Sequence, residues 1–306
     1  MRIVRTLESF PPDARPSVVA LGVFDGVHLG HRAILDVAVA RARPPLTAVA
    51  CTFDPHPAEV LHPGRAPLPI TTLDERLALI GESGLAVTVV VPFTPTLAAM
   101  EPEAFVTEVL LDRLGAREIV VGFNHRFGRG ARGDARLLHD LGARAGFHAE
   151  VVPPTDVDGT PVSSSAIRAA LQRGDVDAAA RLLGRPYFVG GAVVEGAGRG
   201  RTLGFPTANI AVGRPLLVPP GVYACRLAVD GVVYGAVLNA GIRPTFGESL
   251  FTLEAHVLDF SGDIYGRSVR LDFVRRLRDE RKFAGIDALR TQISADVTAA
   301  RAALGA

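Results

Sequence analysis

Between residues 17 and 152 the chain alternates short apolar runs with amphipathic stretches. Runs at 18–24, 46–53, 86–93, 118–123 and 147–152 are rich in β-branched side chains and read as buried strands of a parallel sheet. The stretches between them read as helices. One runs from 28 to 41 with Ile34, Leu35 and Val39 on its core face. A second opens with the Thr72/Glu75 capping box and continues to about residue 80. A third starts at Pro102 and is stopped by Gly115, and a fourth spans 134–145. The pattern predicts an α/β unit of Rossmann-like type with helices covering a parallel sheet. A short helix at 176–183 ends at Gly184, and Arg185-Pro186 marks the expected boundary between domains at 1–184 and 185–306. Beyond it the period falls to two. Val222, Ala224 and Arg226 alternate with Tyr223, Cys225 and Leu227, and Asp230-Gly231 is a hairpin turn. Further strands at 253–260 and 268–273 predict an all-β antiparallel barrel. A helix from 287 to about 304, with Leu289, Ile293 and Val297 at helical spacing, ends the chain.

Composition narrows what these two units can do. A chain of 306 residues, 48% hydrophobic, fills two cores, and its net charge of +1 gives no electrostatic case for nucleic acid or a membrane surface. The N-terminal stretch has no apolar signal core, and no apolar run approaches the ~20 residues that span a bilayer. Cys51 and Cys225 stand alone, which fits a reducing, cytoplasmic setting without disulfides. The single lysine, Lys282, sits in E-R-K-F and makes no P-loop. Phosphate chemistry here must use histidine, arginine, backbone amides and metal. The expected partners are small molecules, and the oligomeric state is left open.

The richest stretch is 21–31, L-G-V-F-D-G-V-H-L-G-H. A strand with small Gly22 and aromatic Phe24 runs into an Asp25-Gly26 turn, and His28, Gly30 and His31 open the helix. A helix N-terminus attracts anions, the two histidines share one face, and Gly30 has no Cβ to hold a phosphate away from the backbone. Other strand ends are polar too. T-F-D-P-H-P places Asp54 and His56 on an expected proline-stiffened loop. G-F-N-H-R-F-G-R-G places Asn124, His125, Arg126 and Arg129 among glycines; taken alone, that loop is either a ligand closure or a solvated basic turn. In V-S-S-S-A-I-R, Ser163 or Ser164 caps a helix with Arg168 one turn in, a phosphate cradle or a plain cap.

The second half carries its own candidate site. G-A-G-R-G-R-T-L-G-F-P-T-A-N-I contains Gly198, Gly204, Pro206, Thr207 and Asn209. A glycine-rich loop wraps phosphates through its amides, and the Thr207 hydroxyl and Asn209 carbonyl are hard oxygen ligands suited to Mg²⁺. On the strand around T-L-E-A-H-V, Leu253 and Ala255 face one way, and Glu254 and His256 the other. Glu254 is a candidate general base or an ordinary surface glutamate.

The H-x-G-H spacing resembles the signature of the nucleotidyltransferase superfamily. Its longer form, with G-x-N-x-x-F-G, S-S-S-A-I-R, P-T-A-N and the Glu254 strand in this order, resembles bacterial bifunctional FAD synthetases (riboflavin kinase/FMN adenylyltransferase) over almost the whole chain. The resemblance implies ATP binding for adenylyl transfer at Gly22, Phe24, His28, Gly30, His31, Asn124, Ser163, Ser164 and Arg168, with His28 and His31 catalytic. It implies a second ATP site at Gly198, Gly204, Pro206, Thr207 and Asn209, with Mg²⁺ on Thr207 and Asn209 and Glu254 as catalytic base. Asn124 and Arg278, the latter in L-R-D-E-R-K-F, are the implied flavin contacts. N-A-G-I-R-P-T-F-G matches as well. One departure is Pro161 before the serine motif, where some relatives carry Arg. The expected substrates are riboflavin, FMN and ATP, and FAD is the final product. Two other readings are a kinase with an idle or differently directed α/β unit, and a flavin-sensing regulator.

Overall fold

The computed structural model describes residues 1–196, 200, 204–245 and 248–305. The chain divides into two compact units, Met1–Ser164 and Ser165–Ala306.

In the first unit six parallel strands form a sheet: β1 (Arg2–Val4), β2 (Ser17–Leu21), β3 (Thr47–Asp54), β4 (Val87–Pro92), β5 (Ala116–Gly122) and β6 (His148–Val152). Their order is β1-β4-β3-β2-β5-β6. The order reverses at β2, which pairs with β3 on one side and β5 on the other. In such sheets ligands bind beyond the carboxyl ends of the strands at that reversal. Helix α1 (Leu29–Arg41) follows β2, and α2 (Pro57–Leu61) and α3 (Leu73–Gly81) follow β3. After β4 come α4 (Pro95–Ala98) and α5 (Pro102–Ala104), the latter running into a π-helical stretch, Phe105–Arg113. Helix α6 (Ala135–Ala145), capped by Asp134, links β5 to β6. The core lies between sheet and helices, with Val19, Leu21, Val49, Val89, Leu110 and Ile119 at its centre.

Four details differ from the sequence expectation. Strand β2 stops at Leu21, not at 24, because Phe24 (φ 55°) and Val27 (φ 38°) turn the chain through left-handed backbone. Strand β1 is an additional edge strand, too short and too charged to show a pattern. Asp54 ends β3 rather than lying on the loop, and the loop at 55–56 leads at once into helix α2, which His56 caps: its Nδ1 accepts the Ala58 N–H while the Glu59 carboxylate accepts the His56 N–H. A two-stranded hairpin, β7 (Asp156–Val157) and β8 (Thr160–Pro161), precedes the serine motif.

Helix α7 (Ser164–Gln172) begins at the division, and α8 (Val176–Leu183) belongs to the second unit, where Asp177 pairs with Arg275 at 3.8 Å. The second unit is a closed barrel of β9 (Tyr187–Val194), β10 (Ala208–Val212), β11 (Gly221–Val229), β12 (Val232–Thr245), β13 (Glu248–Val257) and β14 (Ser268–Arg278). Every described pairing in it is antiparallel. Asp230 (φ 49°) and Gly231 (φ 80°) make the expected hairpin turn between β11 and β12. Tyr187, Tyr223 and Phe273 fill the barrel, Phe273 lying 5.4 and 5.3 Å from the two tyrosine rings. Helix α9 (Ile286–Leu304) packs Val297, Ala300 and Leu304 on the outside of the barrel against Val222 and Val237. Among the described residues no helix is long and apolar enough to cross a membrane.

Candidate active sites

The first site is built where β2 hands the chain to α1. His28 is the N-cap: its Nδ1 accepts the His31 backbone N–H at 3.2 Å. That bond requires an unprotonated Nδ1, so His28 is a neutral imidazole carrying its proton on Nε2. The His31 ring stacks on it, with centroids 3.6 Å apart and planes 14° from parallel. His31 Nδ1 is buried without a hydrogen-bond partner. Burial, then the neighbouring His28 and Arg76, hold the His31 pKa well below its ordinary value. The lowered pKa keeps the His31 ring neutral near pH 7. Phe24 is fully buried and meets His31 edge-on at 5.3 Å, so it supports the ring from below. A Cβ on Gly22 would lie 3.0 Å from the Phe24 ring, and one on Gly30 3.3 Å from the His28 ring.

Ser164 also meets this turn. Ser164 Oγ donates to the Asp25 carbonyl at 3.1 Å, tying the start of α7 to the histidine turn. Ser163 lies just before α7, and Arg168, 9% exposed, sits one turn into it. Asn124 is exposed just past β5, the strand beside β2 at the sheet reversal. Pro161 is exposed on β8.

A cavity of about 400 Å³ opens beside the strand ends, walled by Phe53, Phe93, Leu97, Phe105 and Phe127. That is the size and apolar character of a small-molecule site. His125 and Arg126 also line it, and the His125 ring stacks on Phe127 at 5.9 Å. The rest of the basic loop is tied down: Arg129 and Arg132 both pair with Glu101, and Arg126 lies 3.4 Å from Asp134. The apolar wall escaped sequence reasoning because its residues come from strand β3 and from two separate connections, β4 to β5 and β5 to β6.

Burial pulls His125 down to about 4 and leaves its Nε2 without a partner. Both depressed histidines stay neutral in the fold but accept a proton once unfolded, where His titrates near ~6.5. Their stabilising contribution is complete above ~6.5 and is lost as pH falls below it. Thermal melts at about pH 7.5 and about pH 5 should show a large acid loss that His125→Phe reduces. An equal acid loss in wild type and variant would show that His125 carries none of it.

The second site lies on the outer face of the barrel. Glu254 on β13 pairs in register with Asn209 on β10 and with Asn239 on β12. Leu253 and Ala255 are buried in the barrel, which leaves Glu254 and His256 on the other face, as the alternation predicts. His256 Nδ1–H donates to the Pro206 carbonyl at 2.8 Å. Two glycines of the preceding loop are required by contact. A Cβ on Gly196 would fall 1.9 Å from the Asn209 amide nitrogen, and one on Gly200 3.0 Å from Thr207 Oγ1. Gly204 has φ 85°; Gly198 lies outside the described residues, as do Phe246 and Gly247 of the N-A-G-I-R-P-T-F-G stretch.

Thr207 borders two cavities. One, of about 370 Å³, has apolar walls from Val193, Val257, Phe260, Ile264 and Tyr265. The other, of about 330 Å³, holds Glu254, Arg278 and Glu280 opposite Phe283, Leu289 and Ile293. The Arg278 guanidinium is clamped by buried Asp296 of α9 through contacts of 2.8–3.2 Å, so it also braces the helix that closes this cavity. Glu280 and the walls of the first cavity were not among the sequence candidates. Val193 and Val257 lie on strands β9 and β13, and the others on connections whose patterns carry no site signal.

An α/β unit with paired imidazoles at a helix start, joined to a barrel with a carboxylate beside a Thr/Asn oxygen pair, defines a two-site phosphate-transfer protein. The family model for FAD synthetase matches residues 10–166, and that for riboflavin kinase matches residues 183–304. The chain belongs to the bifunctional riboflavin kinase/FMN adenylyltransferase family. The Bacillus subtilis protein of that name is 40% identical, covering 92% of this chain and 90% of the relative. The Pseudomonas fluorescens protein is 39% identical over 99% and 97% of the two chains. A crystal structure described as a macrolide-efflux protein from Streptococcus pneumoniae has the same fold, with a TM-score of 0.89 and 32% identity over 98% of each chain.

Proposed function

We propose that the barrel phosphorylates riboflavin with ATP to give FMN and ADP, and that the α/β unit transfers AMP from a second ATP to FMN, giving FAD and pyrophosphate. The observation that carries this reading is the contrast between the two sites: a carboxylate stands in the barrel cavity, and neutral imidazole donors stand at the helix start. A hydroxyl nucleophile must lose a proton, whereas the phosphate of FMN attacks already ionised.

In the barrel, the nucleotide base occupies the apolar cavity of Val193, Phe260 and Tyr265, and riboflavin occupies the cavity of Glu254, Arg278 and Phe283. Thr207, shared by both, stands where the γ-phosphate meets the ribityl hydroxyl. Glu254 takes the hydroxyl proton, the oxygen bonds to the γ-phosphorus, and the bond to the β-phosphate oxygen breaks. The Thr207 hydroxyl and Asn209 carbonyl are oxygen donors of the kind Mg²⁺ prefers, and the Gly196 and Gly200 contacts fix both side chains. The ion, when bound, offsets the charge on the transferring phosphates.

In the α/β unit, His28 and His31 donate Nε2–H to the ATP phosphates, together with Asn124, Ser163, Ser164 and Arg168. FMN lies in the aromatic cavity. An FMN phosphate oxygen attacks the α-phosphorus, and pyrophosphate leaves with its charge held by these donors. Catalysis is positioning and charge stabilisation. The substrates are small molecules, and the setting is cytoplasmic.

Incubating the protein with riboflavin and MgATP, and separating flavins by chromatography over time, should show FMN rising before FAD. FMN alone would leave the kinase and refute the adenylyl-transfer assignment; no product would leave a flavin-binding protein. Adenylyl transfer is assigned to residues 1–184 and phosphorylation to 185–306, so a fragment from Arg185 onward should form FMN and no FAD. A fragment from Ser165 should do the same at higher temperature, because it keeps the α8 contact of Asp177 with Arg275. FAD from either fragment would overturn the division of labour.

A further inference from the structure

The turn that presents the histidine pair is held from beneath by the segment that leads into the Thr72/Glu75 capping box. Asp25 is 3% exposed, and its carboxylate accepts the Ile70 N–H at 3.0 Å and the Thr71 N–H at 3.1 Å. The Thr71 hydroxyl donates to Asp25 Oδ1 at 3.2 Å and accepts the Gly26 N–H at 3.1 Å. Ile70 packs on Gly26, where a Cβ would come within 3.0 Å of its side chain. A few residues on, Arg76 donates to the Val23 carbonyl and to the Phe53 carbonyl, both at 2.9 Å. The segment 70–76 thus grips the turn on both sides of Phe24.

The turn needs such a grip. Phe24 and Val27 are non-glycine residues at φ 55° and 38°, and a β-branched residue there is a conformational outlier. Backbone of this kind is strained and persists only where its surroundings over-determine it. Val27 immediately precedes the His28 cap, and the Asp25 carbonyl receives the Ser164 hydroxyl. A shift of the turn therefore moves the histidine pair and the start of the serine-motif helix together.

We infer that Thr71 and Asp25 are positioning residues for adenylyl transfer, forming a buried staple that sets where the His28/His31 pair stands relative to Ser164. The inference rests on the assignment of FMN adenylylation to this unit. Neither residue needs to touch substrate: the staple fixes backbone, and the backbone fixes the donors. Displacement by about 1 Å from productive geometry is enough to cost about 10²-fold in rate.

The test is steady-state FMN adenylylation by the full chain carrying Thr71→Val, Thr71→Ser or Asp25→Asn, with riboflavin phosphorylation and thermal melting measured on the same samples. Thr71→Val keeps volume but removes the hydroxyl that both donates to Asp25 and accepts from Gly26. It should lower kcat for FAD formation by about 10–100-fold while KM for ATP changes by less than about threefold, with kinase turnover unchanged. Thr71→Ser keeps the hydroxyl and should recover most of the rate. Asp25→Asn turns one acceptor into a donor facing two N–H groups and should lose at least as much kcat as Thr71→Val. Adenylylation by Thr71→Val within about twofold of wild type would overturn the staple. So would parallel losses in Thr71→Val and Thr71→Ser that follow a fall in melting temperature. If Thr71→Val does not fold, Asp25→Asn decides by the same criteria. A wild-type protein that forms no FAD fails the functional assignment instead, which is a separate outcome.

Discussion

His31→Ala will lower FAD formation from supplied FMN by about 10²–10³-fold and leave riboflavin phosphorylation at its wild-type rate. The magnitude is that of one preorganised donor lost from a site where charge develops, about 3–4 kcal/mol. Geometry makes the loss specific. The His31 ring is stacked at 3.6 Å on His28 and backed by Phe24, so its removal takes away one donor and the packing that orients the other. The His28 cap bond uses the backbone N–H of residue 31, so the helix start survives the substitution. The effect should appear in kcat more than in KM, because the donor acts on charge that grows in the transition state. Rates of both reactions measured on one preparation check this. Equal losses in both would mean that the substitution acts on folding or on a shared site.

Glu254→Gln will lower FMN formation by about 10²–10⁴-fold, the range for loss of a positioned base, while MgATP still binds and supplied FMN is still converted to FAD. The amide fits the space between Asn209 and Asn239 but accepts no proton. Glu280 lines the same cavity, so Glu280→Gln is the necessary companion and should lose far less. On the proposed role of Asn209 as an oxygen ligand, Asn209→Ala should differ from both, weakening MgATP binding and raising its KM. A Glu254→Gln enzyme with near-normal kinase turnover would remove Glu254 from the chemistry and leave it an orienting residue.

What could be read from the chain depended on the range of the interaction. The Thr72/Glu75 box, the stop at Gly184 and the Asp230-Gly231 turn are local devices, and each appears in the structure at the expected position. The two-unit architecture followed from the change of hydrophobic period. Local reasoning failed where a residue had two uses. His56 reads as loop because prolines flank it, yet Pro57 is a favoured first helical residue and the imidazole serves as the cap. Pro161 sits on a two-residue edge strand, where a missing N–H costs nothing. His28 was legible as a phosphate donor, whereas its service as the helix cap depends on ring orientation, which spacing does not encode. The aromatic wall of the first unit and the grip of Thr71 on Asp25, 46 residues apart in sequence, are long-range by nature.

Thr207 is common to the linings of the two barrel cavities. On the proposed assignment of nucleotide to one cavity and flavin to the other, both ligands reach Thr207, and the binding of one biases the other. Whatever factor the nucleotide contributes to flavin affinity, the flavin returns to the nucleotide, because linkage is reciprocal at equilibrium. A compound designed to fill only the flavin cavity is therefore also a modulator of nucleotide affinity. Its potency will depend on the ATP-to-ADP ratio at which it is assayed.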